Sequence, residues 1–171
     1  NWHDFVTQCI EKNAYGLENL ALIPGTVGGA PIQNIGAYGV EVKEFISSVK
    51  AYDVIEKKWL TILREDCGFD YRSSIFKTTD RFIILSVIFE LFRSWEPRLN
   101  HKELSTKFID RDVTASVVFD EICKMRSEKL PDPSLTGNAG SFFKNPIITS
   151  SEFTDLRIQF PDIPCYETDT S

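Results

Sequence analysis

The segment that shapes this chain most is Gly16-Leu-Glu-Asn-Leu-Ala-Leu-Ile-Pro-Gly25-Thr-Val-Gly28-Gly29-Ala-Pro31-Ile-Gln-Asn34-Ile-Gly36-Ala-Tyr38-Gly39. Six glycines and two prolines interrupt residues that are otherwise largely apolar, whereas a connection of this length normally carries polar residues. Such a segment is typical of backbone that lies against a large flat ligand, because its N–H groups meet the ligand without intervening side chains. A flavin or a nucleotide would fit it, and a buried structural loop is the alternative. The glycine spacing excludes the G-x-G-x-x-G and G-x-x-x-x-G-K-[ST] motifs.

A second glycine-rich stretch contains several polar side chains. It reads Gly137-Asn-Ala-Gly-Ser-Phe-Phe-Lys-Asn-Pro146. Glycine permits a tight turn close to a ligand, so the hydroxyl of Ser141 can be exposed there and act as a proton donor. The alternative is a loop that enters a strand, with Phe142 and Phe143 in the core.

Basic side chains lie near these stretches. Lys129 precedes the second glycine-rich stretch, and Lys144 and Asn145 follow its serine. On an acidic protein, cations around a glycine-rich turn indicate an anionic ligand such as a phosphate or a carboxylate. Arg72 could hold a carboxylate through two hydrogen bonds or stabilise negative charge that develops during a reaction. The alternatives are a solvated position for each lysine and a surface ion pair for Arg72.

The apolar patterns predict an α+β fold. Apolar residues at helical spacing predict a helix from residue 2 to about residue 13. Residues 45–63 predict a β-hairpin. The nearly continuous apolar run at 81–92 predicts a strand at the centre of the sheet. The residues from Pro146 predict the start of a strand, and residues 151–158 predict a short capped helix.

The bulk composition excludes several classes of function. The chain of 171 residues has a formal net charge of −6 and a pI near 5.0, so its long-range field repels nucleic acids and anionic membrane surfaces. No apolar run has transmembrane length. Neither a multi-histidine centre nor a zinc site is expected, because His3 and His101 are the only histidines and the four cysteines are far apart. An even count of cysteines could form two disulfides, but isolated cysteines in apolar patterns favour a reduced, intracellular protein.

Four motifs occur in order over nearly the whole chain. They are Gly16-Leu-Glu-Asn-Leu-Ala-Leu-Ile-Pro-Gly25, Pro31-Ile-Gln-Asn-Ile-Gly-Ala-Tyr-Gly39, Tyr71-Arg72-x-Ser74-x-Phe76-Lys77, and Lys129-Leu-Pro-Asp-Pro133 leading into Gly137-Asn-Ala-Gly-Ser-Phe-Phe-Lys-Asn-Pro146. Together they resemble the family of UDP-N-acetylenolpyruvoylglucosamine reductases, flavoenzymes of bacterial peptidoglycan precursor synthesis. The insertion around residues 95–101 is similar to the longer, type I branch of that family.

The resemblance implies an oxidoreductase that depends on FAD and NADPH. In the implied reaction, a hydride passes from NADPH through FAD to the enolpyruvyl double bond of UDP-N-acetylglucosamine enolpyruvate. Protonation of the resulting carbanion or enol gives UDP-N-acetylmuramate. Ser141 aligns with the family's proton donor, and Arg72 aligns with the arginine that stabilises the enolic carboxylate. Because a serine is a poor acid, neighbouring cations would have to favour its ionised form.

The resemblance also implies binding residues. Tyr71, Lys129 and Asn145 align with substrate-contacting positions. His101 stands where type I members usually carry a substrate-contacting tyrosine, and it would bind a diphosphate with a charge that depends on pH. The residues that the resemblance places against the flavin are Ile23, Gly25, Gly29, Ile32, Gly36 and Ala37.

The resemblance further sets the expected organisation. The family's FAD-pyrophosphate loop and its C-terminal glutamate have no counterpart here, so a piece of a longer protein is expected. Residues 1–130 should form the second part of an FAD-binding domain, and residues 131–171 should begin a substrate-binding α+β domain. The expected protein is a cytoplasmic monomer that binds a UDP-sugar and NADPH, but neither nucleic acid nor membrane. The alternatives are a truncated, non-catalytic ligand-binding remnant and a related FAD oxidase.

Overall fold

The computed structural model describes residues 1–109, 111–132, 135–138, 141 and 143–166. The helices are α1 (Trp2–Glu11), α2 (Ile75–Thr78), α3 (Lys102–Lys107), α4 (Ala115–Lys129) and α5 (Ser150–Gln159). The strands are β1 (Gly36–Ala37), β2 (Val40–Glu41), β3 (Ile46–Asp53), β4 (Lys58–Leu63) and β5 (Phe82–Phe89). Short 3₁₀ helices occupy Glu18–Leu20, Val42–Glu44 and Arg64–Cys67. This mixture of helices with an antiparallel sheet confirms the predicted α+β class.

The chain divides into two compact units, Asn1–Gly140 and Ser141–Ser171. The described strands all lie in the first unit. Its main sheet has three antiparallel strands in the order β4-β3-β5. Strands β3 and β4 form the predicted hairpin, and residues 54–57 make its turn. The largest fully buried side chains of the core include Trp2, Phe45, Leu17, Leu20, Ile46, Leu104 and Ile122.

Helix α1 buries one face and holds the glycine-rich segment. Trp2, Val6 and Cys9 are buried at helical spacing, and burial of a side chain such as Val6 contributes about 1.5–3 kcal/mol. The indole N–H of Trp2 donates to the carbonyl of Leu20 at 2.7 Å. The predicted helix is confirmed, but it ends before Asn13, whose backbone is left-handed with φ 53°.

Strand β5 lies at an edge of the sheet, so the prediction that it forms the centre is wrong. The central strand is β3. The apolar residues of β5 fall into two sets. One set packs against the core and comprises Phe82, Ile84, Val87 and Phe89. The other set is more than half exposed and comprises Ile83, Leu85 and Ile88. The continuous apolar run therefore reflects an apolar outer face and not coverage of both faces of the strand.

The second unit contains helix α5, which confirms the predicted capped helix. Thr149 and Glu152 form a capping box, in which the backbone N–H of Thr149 donates to the Glu152 carboxylate at 2.8 Å. The predicted strand at Pro146 is not formed, since residues 144–149 have no regular structure. Proline has no N–H with which to join a strand ladder.

The second glycine-rich stretch is described in part. Ala139, Gly140 and Phe142 lie outside the described residues. Phe143 is 86% exposed, so this aromatic side chain does not fill the core. Ser141 is exposed, and its predicted role as a proton donor stays a prediction.

None of the helices in the described ranges is long and apolar enough to cross a bilayer. Among the same residues, His, Cys, Asp and Glu side chains form no group of three or more that could hold a metal ion. All four cysteines are free. Burial raises the pKa of the Cys67 thiol to about 11, which keeps this thiol protonated and unreactive.

Replacement of Gly16 by alanine should destabilise the fold strongly. The backbone is left-handed there, with φ 128°, and a Cβ would lie 2.3 Å from Cε1 of the buried Phe45 ring. Strain and clash together predict a loss of about 2–4 kcal/mol in the free energy of unfolding, measured by chemical denaturation. Gly25→Ala is the matched control, because its φ is 125° and nothing lies within 4 Å of its Cβ. Equal losses in the two variants would contradict the role of Phe45.

The buried carboxylate of Asp53 joins the hairpin turn to Arg81, which directly precedes β5. Arg81 donates to its Oδ2 from Nε at 2.8 Å and from Nη2 at 2.5 Å. The backbone N–H groups of Ile55 and Glu56 donate to Oδ1 at 3.0 and 3.1 Å. Chiefly through the hydrogen bonds from Arg81, the pKa of Asp53 is lowered from 3.8 to about 2.

We expect the free energy of unfolding to fall as the pH drops from about 3.8 to about 2. The folded pKa lies below the ordinary value, so the charged carboxylate stabilises the fold above that value and loses its contribution as it is protonated. Asp53→Asn should be less stable near neutral pH and should lose less stability over this acid range, as measured by urea titration at each pH. Asp80→Asn, an exposed neighbour of Arg81, is the control. A difference between wild type and Asp53→Asn that stays constant with pH would refute this account.

Candidate functional site

Buried polar side chains hold the glycine-rich segment in place. The Glu18 carboxylate is buried and accepts the backbone N–H of Gly16 through both oxygens, at 2.9 and 3.0 Å. Burial raises the pKa of this carboxyl group. The buried amide of Asn19 donates to the carbonyls of Tyr38 and Arg98, each at 2.9 Å. These side chains thus satisfy backbone groups that, in a β-sheet, would form hydrogen bonds with a neighbouring strand.

Asn34 fixes the end of the segment. Its side chain is fully buried and donates to Oε2 of Glu41 and to the carbonyl of Asp70, both at 3.0 Å. Its Oδ1 accepts the backbone N–H of Lys43 at 3.0 Å. One amide therefore connects the segment with β2 and with the turn at residues 70–73.

The residues expected to face a flavin differ in exposure. Ile23, Gly29, Gly36 and Ala37 are partly buried, and Gly25 and Ile32 are exposed. Gly25 has open space around the position of a Cβ, and the Ile32 side chain is 39% exposed. The inner side of the segment thus packs in the core, while the outer side presents bare backbone and an apolar side chain.

Arg72 is attached to this segment. Its Nη2 donates to the carbonyl of Gly36 at 2.8 Å, and its Nη1 donates to Oε1 of Glu41 at 3.1 Å and to the carbonyl of Asn34 at 3.4 Å. The guanidinium also lies 5.0 Å from the centre of the Tyr71 ring. Arg72 has a left-handed backbone, with φ 52°, an uncommon conformation that is often found at functional sites.

Close approach explains the glycine at position 36. A Cβ there would lie 2.6 Å from Nη1 of Arg72 and 3.0 Å from the carbonyl oxygen of Val40. Ser74 makes a neighbouring contact, because its buried hydroxyl donates to the carbonyl of Ile32 at 2.6 Å. Arg72 and Ser74 therefore donate hydrogen bonds to the carbonyls of every second residue of the segment, namely residues 32, 34 and 36.

A second group of predicted residues meets at Tyr38. The His101 ring lies edge-on to the Tyr38 ring, with centroids 5.2 Å apart. His101 also caps α3, since its Nδ1 accepts the backbone N–H of Glu103 at 3.4 Å. Lys129 forms an ion pair with the same Glu103. Burial raises the pKa of Tyr38, while the charges of Lys129 and Arg126 oppose that shift.

Sequence reasoning missed Arg126, which lies on α4 near this group. Its Nε–H is buried and has no hydrogen-bond partner among the residues that the structure describes. Burial lowers the pKa of this guanidinium, and the nearby Tyr38 opposes that shift. Arg126 precedes Lys129 by three positions, and residues at this spacing lie on the same face of a helix. This spacing is the feature of the sequence that could have identified Arg126.

Within the first unit, the structure brings predicted site residues together in two groups. Tyr71 and Arg72 meet the segment at Gly36, and His101 and Lys129 are grouped around Tyr38 and Glu103. Gly36 and Tyr38 flank Ala37, so strand β1 connects the two groups. Ser141 and Asn145 belong to the second unit, where both are exposed.

Residues 1–58 match a protein family described as an FAD binding domain. Over longer spans the chain is similar to UDP-N-acetylenolpyruvoylglucosamine reductases of known sequence. The relative from Haemophilus ducreyi is 49% identical over 168 residues, which cover 97% of this chain and 48% of that protein. The relative from Pseudoalteromonas atlantica is 48% identical over 172 residues, covering 99% of this chain and 49% of the relative.

A solved structure shares the fold. The UDP-N-acetylenolpyruvylglucosamine reductase from Thermus caldophilus aligns with a TM-score of 0.60 at 23% identity, covering 90% of this chain and 49% of that one. The chain thus spans about half the length of the curated relatives that it matches. The chain shares the fold of that structure, and along nearly its whole length it is similar to about half of a UDP-N-acetylenolpyruvoylglucosamine reductase.

Proposed function

We propose that this chain carries flavin- and substrate-binding residues of an FAD-dependent reductase. The proposed reaction reduces the enolpyruvyl group of UDP-N-acetylglucosamine enolpyruvate to UDP-N-acetylmuramate, with NADPH as reductant, in peptidoglycan precursor synthesis. The observation that carries the proposal is the attachment of Arg72 to the backbone of the glycine-rich segment. That attachment puts a cation beside the surface best suited to a flavin. The names of the relatives support the same function.

The outer side of the glycine-rich segment fits FAD. An isoalloxazine ring is flat, and it combines apolar faces with a polar edge. Bare backbone at Gly25 and the exposed side chain of Ile32 offer a matching surface, with the partly buried Ile23, Gly29 and Ala37 nearby in the segment. FAD, when bound, supplies hydride transfer to the substrate double bond.

Arg72 is proposed to stabilise the negative charge that develops on the substrate carboxylate. A guanidinium has five N–H donors, and the contacts to Glu41, Asn34 and Gly36 use at most three of them. The Arg72 side chain is 26% exposed, so a ligand can reach the remaining donors. A fixed cation in a partly dry site stabilises developing charge more than the same cation in water does.

The group around Tyr38 is proposed to bind the diphosphate of a UDP-sugar. Lys129 and His101 supply hydrogen-bond donors, and the buried Nε–H of Arg126 lacks an acceptor among the described residues. A phosphate oxygen would satisfy that N–H. Because the net charge is −6, these local cations and not a long-range field would have to attract the ligand.

Ser141 is proposed to donate the proton that completes the reduction, and Asn145 to contact the substrate. Both are exposed, and Lys144 lies between them in sequence. We assign residues 1–130 to the FAD-binding domain and 131–171 to the substrate-binding domain. The free state of all four cysteines supports a reducing compartment, and we propose a cytoplasmic monomer.

The test measures turnover of NADPH with UDP-N-acetylglucosamine enolpyruvate by the complete native polypeptide. Arg72→Ala should lower kcat by about 10²–10³-fold, because it removes a preorganised cation. Ser141→Ala should lower kcat by about 10²–10⁴-fold, because it removes the proton donor. Both variants should keep the absorbance spectrum of bound flavin.

Arg93→Ala is the matched control for Arg72→Ala. Arg93 is an exposed arginine that contacts the backbone carbonyl of Lys12 and belongs to neither group of site residues. Its loss should leave turnover unchanged. Full turnover in both Arg72→Ala and Ser141→Ala would overturn the assigned roles.

A further inference from the structure

The carboxylate of Glu41 contacts three charged or polar side chains. Its Oε1 accepts from Nη1 of Arg72 at 3.1 Å, and its Oε2 accepts from Nδ2 of Asn34 at 3.0 Å. Lys43 forms an ion pair with the same Oε2 at 2.8 Å. The side chain of Glu41 is 24% exposed, so these contacts are partly shielded from water. Both oxygens of Glu41 thus act as acceptors.

Glu41 is itself fixed by its place in the chain. It ends β2 and serves as the N-cap of the 3₁₀ helix Val42–Glu44. Its backbone N–H donates to Oε1 of Glu44 at 2.8 Å, and its own carboxylate accepts the backbone N–H of Glu44 in return. A carboxylate held by its backbone and by several donors has little rotational freedom, so it can orient a partner.

Arg72 needs such a partner. Its left-handed backbone costs free energy, and conformations of this kind persist where the surroundings determine them. Long arginine side chains lose considerable rotamer entropy when one geometry is imposed. The carbonyls of Gly36 and Asn34 fix one edge of the guanidinium, and Glu41 is its charged acceptor.

We propose that Glu41 is a positioning residue that sets the orientation of the Arg72 guanidinium toward the substrate carboxylate. This inference rests on the proposed function of Arg72. The pairing with Glu41 leaves positive charge for binding the substrate carboxylate. Arg72 and Lys43 together carry two positive charges, and Glu41 carries one negative charge. At least two N–H donors of Arg72 also remain for a ligand. Glu41 acts through Arg72 and is not assigned any contact with substrate.

The variant that tests this is Glu41→Gln in the complete native polypeptide. Glutamine keeps the shape of the side chain but turns one acceptor into a donor. If the amide nitrogen takes the place of Oε2, it faces the donors of Asn34 and Lys43. If it takes the place of Oε1, it faces the donor of Arg72. Either orientation loosens the guanidinium, and misplacement of a reacting group by about 1 Å can cost about 10²-fold in rate.

The two half-reactions are measured separately by anaerobic stopped-flow absorbance of the flavin. Glu41→Gln should slow flavin reoxidation by the enolpyruvyl substrate by about 10²-fold, while its reduction by NADPH stays within about twofold of wild type. A variant that merely disturbed the fold would slow both. Glu11→Gln is the matched control, because it makes the same charge change at an exposed residue of α1 that belongs to neither group of site residues. It should leave both rates unchanged.

A double-mutant cycle and a spectroscopic readout complete the test. In an Arg72→Ala background, Glu41→Gln should slow reoxidation by no more than about twofold further, because its effect acts through Arg72. In wild type, nitrogen NMR should resolve distinct Nη signals for Arg72 as a sign of hindered rotation of the guanidinium. These signals should merge in Glu41→Gln.

Each outcome decides the inference. Slow reoxidation in both single variants, with a non-additive double variant, supports it. Normal reoxidation in Glu41→Gln with slow reoxidation in Arg72→Ala overturns the role of Glu41 and leaves the proposed function intact. Normal reoxidation in Arg72→Ala overturns both. If Glu41→Gln loses its flavin, Glu41→Asp, which keeps the charge but shortens the side chain, is measured in the same way and must slow reoxidation.

Discussion

The conformation of the first unit depends on satisfying the backbone of a long apolar segment that has almost no strand ladder. A buried N–H or C=O group left unpaired costs about 1–3 kcal/mol, so such a segment folds only where other groups bond to it. Asn19 and Asn34 do so from within the segment, and Arg72 and Ser74 do so from the turn at residues 70–73 and the cap that follows it. The contacts that stabilise the segment are therefore the contacts that position a cation on it.

Positive side chains are grouped locally in a chain that is acidic as a whole. The chain as a whole is acidic, yet Arg72 and Lys43 outnumber the carboxylate between them, and Arg126 lies near Lys129 on one helix. Local excess positive charge in partly buried surroundings is screened less by salt than charge on an open surface. Recognition of an anionic ligand would then depend on short-range contacts, which favours specificity over fast non-specific capture.

Features encoded by neighbouring residues could be predicted from the sequence. Helix α1 and the β3–β4 hairpin follow from local periodicity, and both are confirmed. The position of β5 could not be predicted in this way, because one apolar run suits either a central strand or an edge strand with an apolar outer face. Glu41 was missed because its partner Arg72 lies 31 positions away in the chain. Ser141 and Asn145 stay predictions drawn from the family resemblance.

Strand β5 also has a consequence for how the chain behaves in solution. It reads Phe-Ile-Ile-Leu-Ser-Val-Ile-Phe, without charge, proline or glycine, and its described pairing is with β3 on one side. An apolar strand with an open edge is a template for pairing with a second chain, and this composition is that of cross-β segments. Intermolecular association through β5 should therefore compete with refolding as the protein concentration rises, so a charged residue in place of Ile83 or Leu85 would keep more of the chain dispersed.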